Sequence, residues 1–465
     1  MNPYDVVIVG AGPAGIFAAL ELTAQPGLRV VILEKGLDLP QRVAPAPPGA
    51  PAGRVGPINS GWGGAGAWSD GKLTLSPEVG GQLATLLPPA QVRELIQQVD
   101  DTYVHFGAPD RLYGSSGEAM QALAVRAALA DLELVPSRVR HMGTEHCRRV
   151  MAAMRETLGN RVELHTSTAA AELIVEEGEV LGVRTASGDF RARYVIVAPG
   201  RDGAAWLTKE TERLRLPRVD NPVDVGVRVE LAAATFQSLT QEAYEPKLIF
   251  YSKQFDDRVR TFCVCPYGEV VTETSDDVIT VNGHSYADSK TDNTNFALLV
   301  TTHFTEPFHE PIAYGRYLAR LANLIGGGVL VQRLGDLRSG RRSTPERINR
   351  GLVRPTLAEA TPGDLSFALP YRYLVDITEM LEALDRIAPG TAGRHTLLYG
   401  VEVKFYSARP RLSAALETQV HNLFAIGDGA GVTRGLVQAS ASGMVAAREI
   451  LRREGKASEE RPEGR

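Results

Sequence analysis

The chain carries Gly10-Ala11-Gly12-Pro13-Ala14-Gly15 and, nineteen residues after Gly15, an acid at Glu34. Glycines at this spacing, set between a strand and a helix, suit one task, which is to hold the pyrophosphate of a dinucleotide. Gly10 permits the tight turn off the strand, Gly12 lets the backbone come close to the phosphates, and Gly15 lets helix and strand pack together. The helix that starts there aims unpaired N–H groups and the positive end of its dipole at negative charge. Glu34, at the tip of a second strand, is placed to accept hydrogen bonds from ribose hydroxyls, and an acid there disfavours a 2′-phosphate. The unit by itself leaves NAD and FAD both open.

Other residues with reactive potential lie further along. Lys72 closes the loop from Gly61, where glycines interleave with Trp62 and Trp68 in a composition suited to neither a helix nor an ordinary strand. Its ammonium would bring positive charge to an anionic group, while Asp70 in the same loop suits a turn or a helix cap. Cys263 and Cys265 lie two apart on an expected strand, so both thiols would face one side of a sheet. They suit a redox dithiol, although the spacing is not the CxxC of helix-start redox pairs and small buried cysteines are common. His303 closes the strand pattern Phe296 to His303, and His284 follows Asn282-Gly283 in an expected turn. Either imidazole suits acid–base work near neutral pH, and either suits a purely structural place. Lys404 and Glu402 alternate with apolar residues on Gly400 to Tyr406, with Arg409 beyond, so their face is a substrate pocket or a solvated edge. Arg228 carries the same two readings, and Arg338, Arg341 and Arg342 read as a solvated run or a carboxylate anchor. No cysteines and histidines sit at metal-ligand spacing, so no metal is expected.

The elements that must position these groups follow from periodicity. Asp5 to Val9 and Arg29 to Leu33 read as strands flanking a helix to Leu22. Leu39 to Pro57, rich in proline, alanine and glycine, reads as a long loop. Helices are expected over Pro89–Phe106, Gly117–Leu132 and Thr144–Leu158. From Arg161 the period becomes two: Val162–Leu164, Ala171–Val175, Leu181–Arg184 and Phe190–Arg193 form an expected β-meander. It closes on the apolar strand Tyr194–Ala198, stopped by Pro199 and Gly200, as expected of a buried parallel strand. Strand patterns dominate 222–304, namely Val225–Leu231, Lys247–Tyr251, Val259–Cys265, Glu269–Thr272, Val278–Val281 and Phe296–His303. Helices return at Ile312–Leu324 and Ile377–Ile387, and Asn422–Gly431 precedes a small-residue helix, Leu436–Leu451. The tail from Lys456 is charged and poor in apolar residues, an expected disordered segment.

Three separated segments, Gly10–Gly15, Ala198-Pro199-Gly200 and Leu423–Gly431, resemble in order and distance the FAD superfamily typified by glutathione reductase. That resemblance implies FAD as cofactor, with Asp428 hydrogen-bonding its ribityl chain and the helix near Leu436 directing its N-terminus at the flavin N1–C2=O edge. Negative charge on the reduced ring would be stabilised there by backbone N–H groups. It further implies cofactor contacts at Gly10, Gly12, Pro13, Ala14, Gly15, Glu34, Lys35, Gly64, Ala65, Gly66, Ala171, Ala198, Gly200, Gly427, Asp428, Gly435, Leu436 and Val437. Lys72 would supply charge to the reduced flavin, and the candidate reacting set is Lys72, His303, Cys265 and Lys404. More narrowly, Gly63–Leu73, His141–Glu145, Val225–Glu230, Thr261–Pro266 and Val281–Gly283 resemble a family of FAD-dependent dehydrogenases of unassigned substrate. Nearly the whole chain, from about residue 5 to 445, is covered by that resemblance. The chain departs from it at Arg201-Asp202-Gly203, where the family usually carries a hydroxyl residue. Gly200-Arg201-Asp202-Gly203 faintly resembles a motif of flavin hydroxylases.

The expected fold is α/β: a Rossmann-type FAD domain with an inserted β-meander, plus a β-rich α+β substrate domain with an antiparallel sheet. The expected boundaries are 1–220 for the first part of the FAD domain, including the loop 39–72 and a helical insertion at 89–158. The cap domain is 221–400, the remainder of the FAD domain is 401–455, and the tail is 456–465. With 465 residues, 44% hydrophobic and 23% charged, a sizeable core is available. The net charge of −5 and the absence of a basic block argue against nucleic acid and anionic membrane surfaces. No apolar run reaches the roughly 20 residues of a membrane span. The cofactor strand begins at once after Met1–Tyr4, so no leader is expected, and three cysteines fit a reducing compartment, hence the cytoplasm. The resulting expectation is a soluble FAD oxidoreductase acting on a small or medium organic substrate, as monomer or homodimer, with NAD(P)H as a candidate transient electron donor. A flavin monooxygenase, a flavoprotein that works without net redox, and one that works through a protein partner remain open.

Overall fold

The apolar run Val6 to Val9 is the centre of strand β1 (Tyr4–Val9), from which Gly10 turns at φ 105° into helix α1 (Pro13–Leu22). Strand β2 (Val30–Leu33) lies parallel beside β1 with Val7 opposite Val31. The computed structural model describes residues 4–24, 26–42, 60–67, 71–114, 117–219, 221–243, 245–275, 278–285, 290–303, 310–404 and 409–455. The chain divides into two units, one of residues 1–111, 140–219 and 407–465 and the other of 112–139 and 220–406.

The first unit is built on a seven-stranded sheet in which Val162–His165, β2, β1 and Gly188–Val197 are successive neighbours, with Leu423–Ala425 parallel to the last. Val6, Val7 and Ile8 are fully buried, each worth roughly 1.5–3 kcal/mol of transfer free energy. Two details differ from the expected meander. Val162–His165 pairs parallel with β2, so it belongs to the nucleotide sheet. Phe190–Arg193 and Tyr194–Val197 are a single strand whose first half pairs antiparallel with Glu179–Thr185 while its second half enters the parallel sheet. Alternation ends where the strand becomes buried on both faces, and that change of pattern mimics a boundary. Helix α1 and the C-terminal helix Leu436–Arg453 approach backbone to backbone, because a Cβ added at Gly443 would lie 2.2 Å from the Ala14 carbonyl oxygen.

The second unit carries an eight-stranded sheet. Its order is Thr361–Pro362, Leu330–Arg333, Leu397–Lys404, Val223–Ala232, Asn293–Thr302, Arg258–Cys265, Leu248–Tyr251 and Glu133–Leu134. All neighbours are antiparallel except the first pair. Val223, Val225, Val227, Val229 and Leu231 join one apolar core. The alternate positions Asp224, Arg228 and Glu230 are also buried, so the other face of the central strand is a stripe of charge covered by protein. Two expected boundaries are corrected. Residues 112–139 fall in this unit, whose sheet takes Glu133–Leu134 as an edge strand, and the break expected at 400/401 would cut the strand Leu397–Lys404. Helices Ala204–Arg213 and Ala233–Ala243 were not foreseen.

Candidate functional site

Three segments of the first unit converge on the start of α1. A Cβ at Gly10 would lie 2.1 Å from the Ala198 carbonyl oxygen, and one at Gly15 would lie 2.0 Å from that of Gly10. At Gly12 a Cβ would meet nothing within 4 Å, and α1 begins there without a side-chain cap. The N-terminus of α1 therefore opens onto space with its first N–H groups available for an anion. The helix Leu436–Arg453 likewise starts at Gly435 with no side-chain cap. Gly66 joins the two ends: its Cβ would stand 3.0 Å from both a Pro13 ring carbon and a Leu436 methyl. Two uncapped helix starts bridged by glycine backbone form a cradle that fits a pyrophosphate and a second electron-rich group.

Glu34 organises this cradle in a way that its position in sequence did not foretell. Its Oε2 accepts the Ala11 amide at 2.8 Å, and its Oε1 accepts Gly36 at 2.8 Å and Gly61 at 2.9 Å. A carboxylate has about four lone-pair sites, so one remains for a ribose hydroxyl. The loop that follows is partly helical, a correction to the expected irregular loop: Gly64–Ala67 is one 3-10 turn. Gly63 donates to the Ala11 carbonyl at 2.7 Å, and the indole of buried Trp62 donates to Met151 at 2.9 Å. Trp68, Ser69 and Asp70 lie outside the described residues. Lys72 opens the strand Lys72–Leu75 with a half-buried side chain.

On the other side, Gly427 turns at φ 76° and its amide donates to Ser442 Oγ at 3.1 Å. Asp428 accepts the Thr433 hydroxyl at 2.7 Å, and the Gly429 backbone lies against Gly200, where a Cβ would fall 2.1 Å from the Gly200 carbonyl oxygen. Ala198, Gly200, Gly427 and Asp428 thus meet at the ends of the parallel strands, the place where open α/β sheets bind ligands. Lys35 is half exposed and pairs with Asp202 at 2.5 Å, so the faint hydroxylase motif is a surface ion pair here. Ala171 is exposed and its carbonyl accepts the Trp206 indole at 2.8 Å.

Three contributors escaped the reading of the sequence. Arg42 is buried, and its Nη1 donates to the carbonyls of Trp62 at 2.5 Å and Gly64 at 3.0 Å. Burial, opposed by nearby Glu34, draws its guanidinium down to about 10. Gln438 is buried on the C-terminal helix and donates to the carbonyls of Val79 at 2.9 Å and Pro77 at 3.2 Å, while Thr433 bridges Gly81. Ser442 holds Gly427 as described. The signal for the Gln438 strap was Gly80-Gly81 beside Pro77; Arg42 had none, standing in a proline-rich stretch.

The remaining candidates belong to the second unit. His303 lies beyond the strand Asn293–Thr302 and is exposed, so the expected buried strand end is corrected. His284 is in the strand Val278–His284 opposite Glu269 and not in a turn, because Gly283 continues the ladder. Arg228 and Glu402 are fully buried, 3.5 Å apart, and Lys404 Nζ is 3.2 Å from Glu402 and 3.5 Å from Glu273. Arg228 and Glu402 are thus paired away from solvent, while Lys404 is half-buried between Glu402 and Glu273. Burial works against its charge, yet Glu402 and Glu273 hold Lys404 above its ordinary value. Arg338 and Arg341 pair with Glu382 and Asp336, a structural place. Among the described residues no group of three or more histidine, cysteine, aspartate and glutamate side chains is arranged to hold a metal, and no helix is long and apolar enough to cross a membrane.

Comparison with known proteins gives matches over most of the chain. Residues 5–298 match the family described as FAD dependent oxidoreductase, and residues 222–405 match one described as FAD-dependent protein, C-terminal domain-like. An uncharacterized protein of Clostridium beijerinckii is 27% identical over 473 residues, spanning 96% of this chain and 80% of that protein. Among solved structures, L-proline dehydrogenase from P. horikoshii is 11% identical with a TM-score of 0.40, covering 98% of this chain and 94% of its own. Glycine oxidase from Geobacillus kaustophilus is 13% identical with a TM-score of 0.40, covering 97% and 95%. An Aspergillus oryzae formate oxidase is 12% identical with a TM-score of 0.45, covering 98% and 99%.

Proposed function

Since the chain belongs to the FAD dependent oxidoreductase family, we propose that it transfers hydride between FAD and a small or medium organic substrate. The observation that carries this reading is the pair of uncapped helix starts at Gly12 and Gly435, bridged by Gly66. When bound, FAD supplies the two-electron centre that takes up or gives back hydride. The backbone amides at the start of α1 neutralise the pyrophosphate, and Gly10 and Gly15 keep them in place by allowing strand and helix to touch. Glu34 offers its remaining lone pair to a ribose hydroxyl and so disfavours a 2′-phosphate. Lys35 and Ala171 flank the adenosine side, and Ala65 and Gly64 pass along the phosphates. Asp428, set by the Thr433 hydroxyl, takes the sugar-alcohol chain. The amides of Leu436 and Val437, with Lys72, stabilise negative charge that develops on reduction. The order of these segments supports placement in the superfamily typified by glutathione reductase, and three cysteines support a cytoplasmic setting.

The reading is tested by anaerobic stopped-flow mixing of the flavin-loaded protein with NADH, NADPH and a panel of amino acids, amines and hydroxy acids. Bleaching of the oxidised flavin by one panel member, and its recovery with an added acceptor, is the expected result. Purified protein that carries no flavin and takes up none on reconstitution would sink the reading, as would NAD(P)H-driven oxygen consumption that rises with substrate, which marks a monooxygenase. Asp428→Ala is expected to weaken FAD binding about tenfold, the loss of one charge-assisted hydrogen bond, and to lower the thermal stability of the apoprotein modestly, since the buried Thr433 hydroxyl loses its acceptor. Fluorescence titration of released flavin measures it, and an unchanged dissociation constant would remove Asp428 from the site.

A further inference from the structure

In the second unit the strand Arg258–Cys265 breaks register with Asn293–Thr302, since Phe262 lies opposite Ala297 and Cys265 opposite Asn295. Three steps on one strand thus meet two on the other, a β-bulge. Within that bulge Cys263 has φ 47°, in the left-handed region that costs a non-glycine residue energy. The Sγ atoms of Cys263 and Cys265 stand 4.0 Å apart. Cys263 is partly exposed and Cys265 is buried. The same Nη2 of Arg228 reaches Cys265 Sγ at 3.3 Å and the Cys263 carbonyl at 2.7 Å. That guanidinium is fixed on all sides: Nε donates to Asn295 Oδ1 at 2.8 Å, Glu402 lies 3.5 Å from Nη1, and a Cβ at Gly283 would come within 1.8 Å of Nη2. A buried cation beside one sulfur, and a second sulfur on a partly exposed residue of a bulge, divide two chemical roles between the two cysteines.

We propose that Cys263 and Cys265 form a dithiol–disulfide couple that reacts with low-molecular-weight disulfides, Cys263 attacking first and Cys265 resolving. The Cys263 thiolate attacks one sulfur of the external disulfide, forming a mixed disulfide and releasing one thiol. The Cys265 thiolate, favoured by the adjacent guanidinium, then attacks the Cys263 sulfur and releases the second thiol. The two protein thiols lose two electrons and two protons, and the external disulfide becomes two thiols. Closure brings the sulfurs to about 2.05 Å, which a change of the Cys263 χ1 rotamer on the bulge can supply. A bridge across a single intervening residue is strained and so readily reduced, which suits a reversible sensor of the disulfide pool more than a structural staple.

The probe is glutathione disulfide, added to the flavin-loaded protein without reductant, followed by denaturation, alkylation with iodoacetamide and digestion with trypsin. Residues 261–290 are released as one peptide holding both cysteines, with Cys147 elsewhere as internal control. The wild-type peptide is expected to lose two hydrogen atoms and take up no iodoacetamide, and dithiothreitol is expected to restore both alkylation sites. Cys265→Ser should stop at one glutathione on Cys263, whereas Cys263→Ser should react at least about tenfold more slowly because Cys265 is closed to solvent. Full alkylation of the wild-type peptide after exposure, a stable glutathione adduct on it, or equal rates in the two variants overturns the proposal. The wild-type result decides whether the couple exists even where a variant fails to fold.

Discussion

Gly15→Ala protein is expected to be purified colourless, without bound FAD. The added methyl would lie 2.0 Å from the Gly10 carbonyl oxygen and 3.2 Å from an Ile8 methyl. The first of these neighbours is backbone, so no side-chain rotation relieves the overlap and α1 must withdraw from β1. Withdrawal moves the unpaired amides at its start away from the phosphates. Two charge-assisted hydrogen bonds at about 1.5 kcal/mol each amount to roughly a hundredfold in affinity. The same displacement loosens the contact of α1 with the C-terminal helix, so the melting temperature is expected to fall as well. Gly12→Ala separates the two effects, because a Cβ there meets nothing within 4 Å. It should melt like the wild-type apoprotein yet bind FAD weakly, its methyl standing in the space where phosphate must approach. Flavin released per chain, read by absorbance after denaturation, reports both variants. A Gly15→Ala protein with one flavin per chain would show that α1 and β1 need not touch for the cradle to work.

The nucleotide-binding half was legible because local rules and global fold agree there. Gly10 and Gly15 each answer a backbone requirement that a side chain would violate, Gly12 leaves space before the helix start, and the period-two runs of the second unit mark real strands. What was not legible depends on contacts across long separations. Arg42 lies in a proline-rich stretch, and only folding brings its guanidinium to the carbonyls of Trp62 and Gly64. Glu34 sat at the expected strand tip, but its bonds to Ala11, Gly36 and Gly61 make it the organiser of the glycine loop as well. Cys263 and Cys265 were expected on one face by simple alternation. They come together instead through a bulge, which leaves no mark in the residue pattern. Charged residues inside the strand Val223–Ala232 left pocket and solvated edge equally open for Arg228, because alternation of charge does not tell a solvated face from one covered by protein.

That buried stripe sets up the second large effect. Arg228→Met is expected to destabilise the second unit by about 3–5 kcal/mol, because it leaves the Glu402 carboxylate without its nearest fully buried cation. Glu402 is fully buried, and its other cation is Lys404 at 3.2 Å, itself shared with Glu273. Arg228 is held charged despite its burial by Glu402 and by the sulfurs of Cys265 and Cys263, so no shift of its own proton relieves the cost of removing a partner. Glu402→Gln is the mirror case and should cost a comparable amount, leaving Arg228 beside Lys404 with no carboxylate between them. If the two side chains act as a pair, the double variant should cost at least about 1 kcal/mol less than the sum of the singles. Independent structural roles would make the costs add. Chemical denaturation of the flavin-loaded proteins gives these energies, and thiol exchange of the same variants with glutathione disulfide supplies a readout that stability does not move. Glu402→Gln leaves the cation beside Cys265 and should still close the bridge between Cys263 and Cys265. Arg228→Met, wherever it remains folded, should accumulate the glutathione adduct on Cys263, because the resolving sulfur has lost the charge that favours its thiolate.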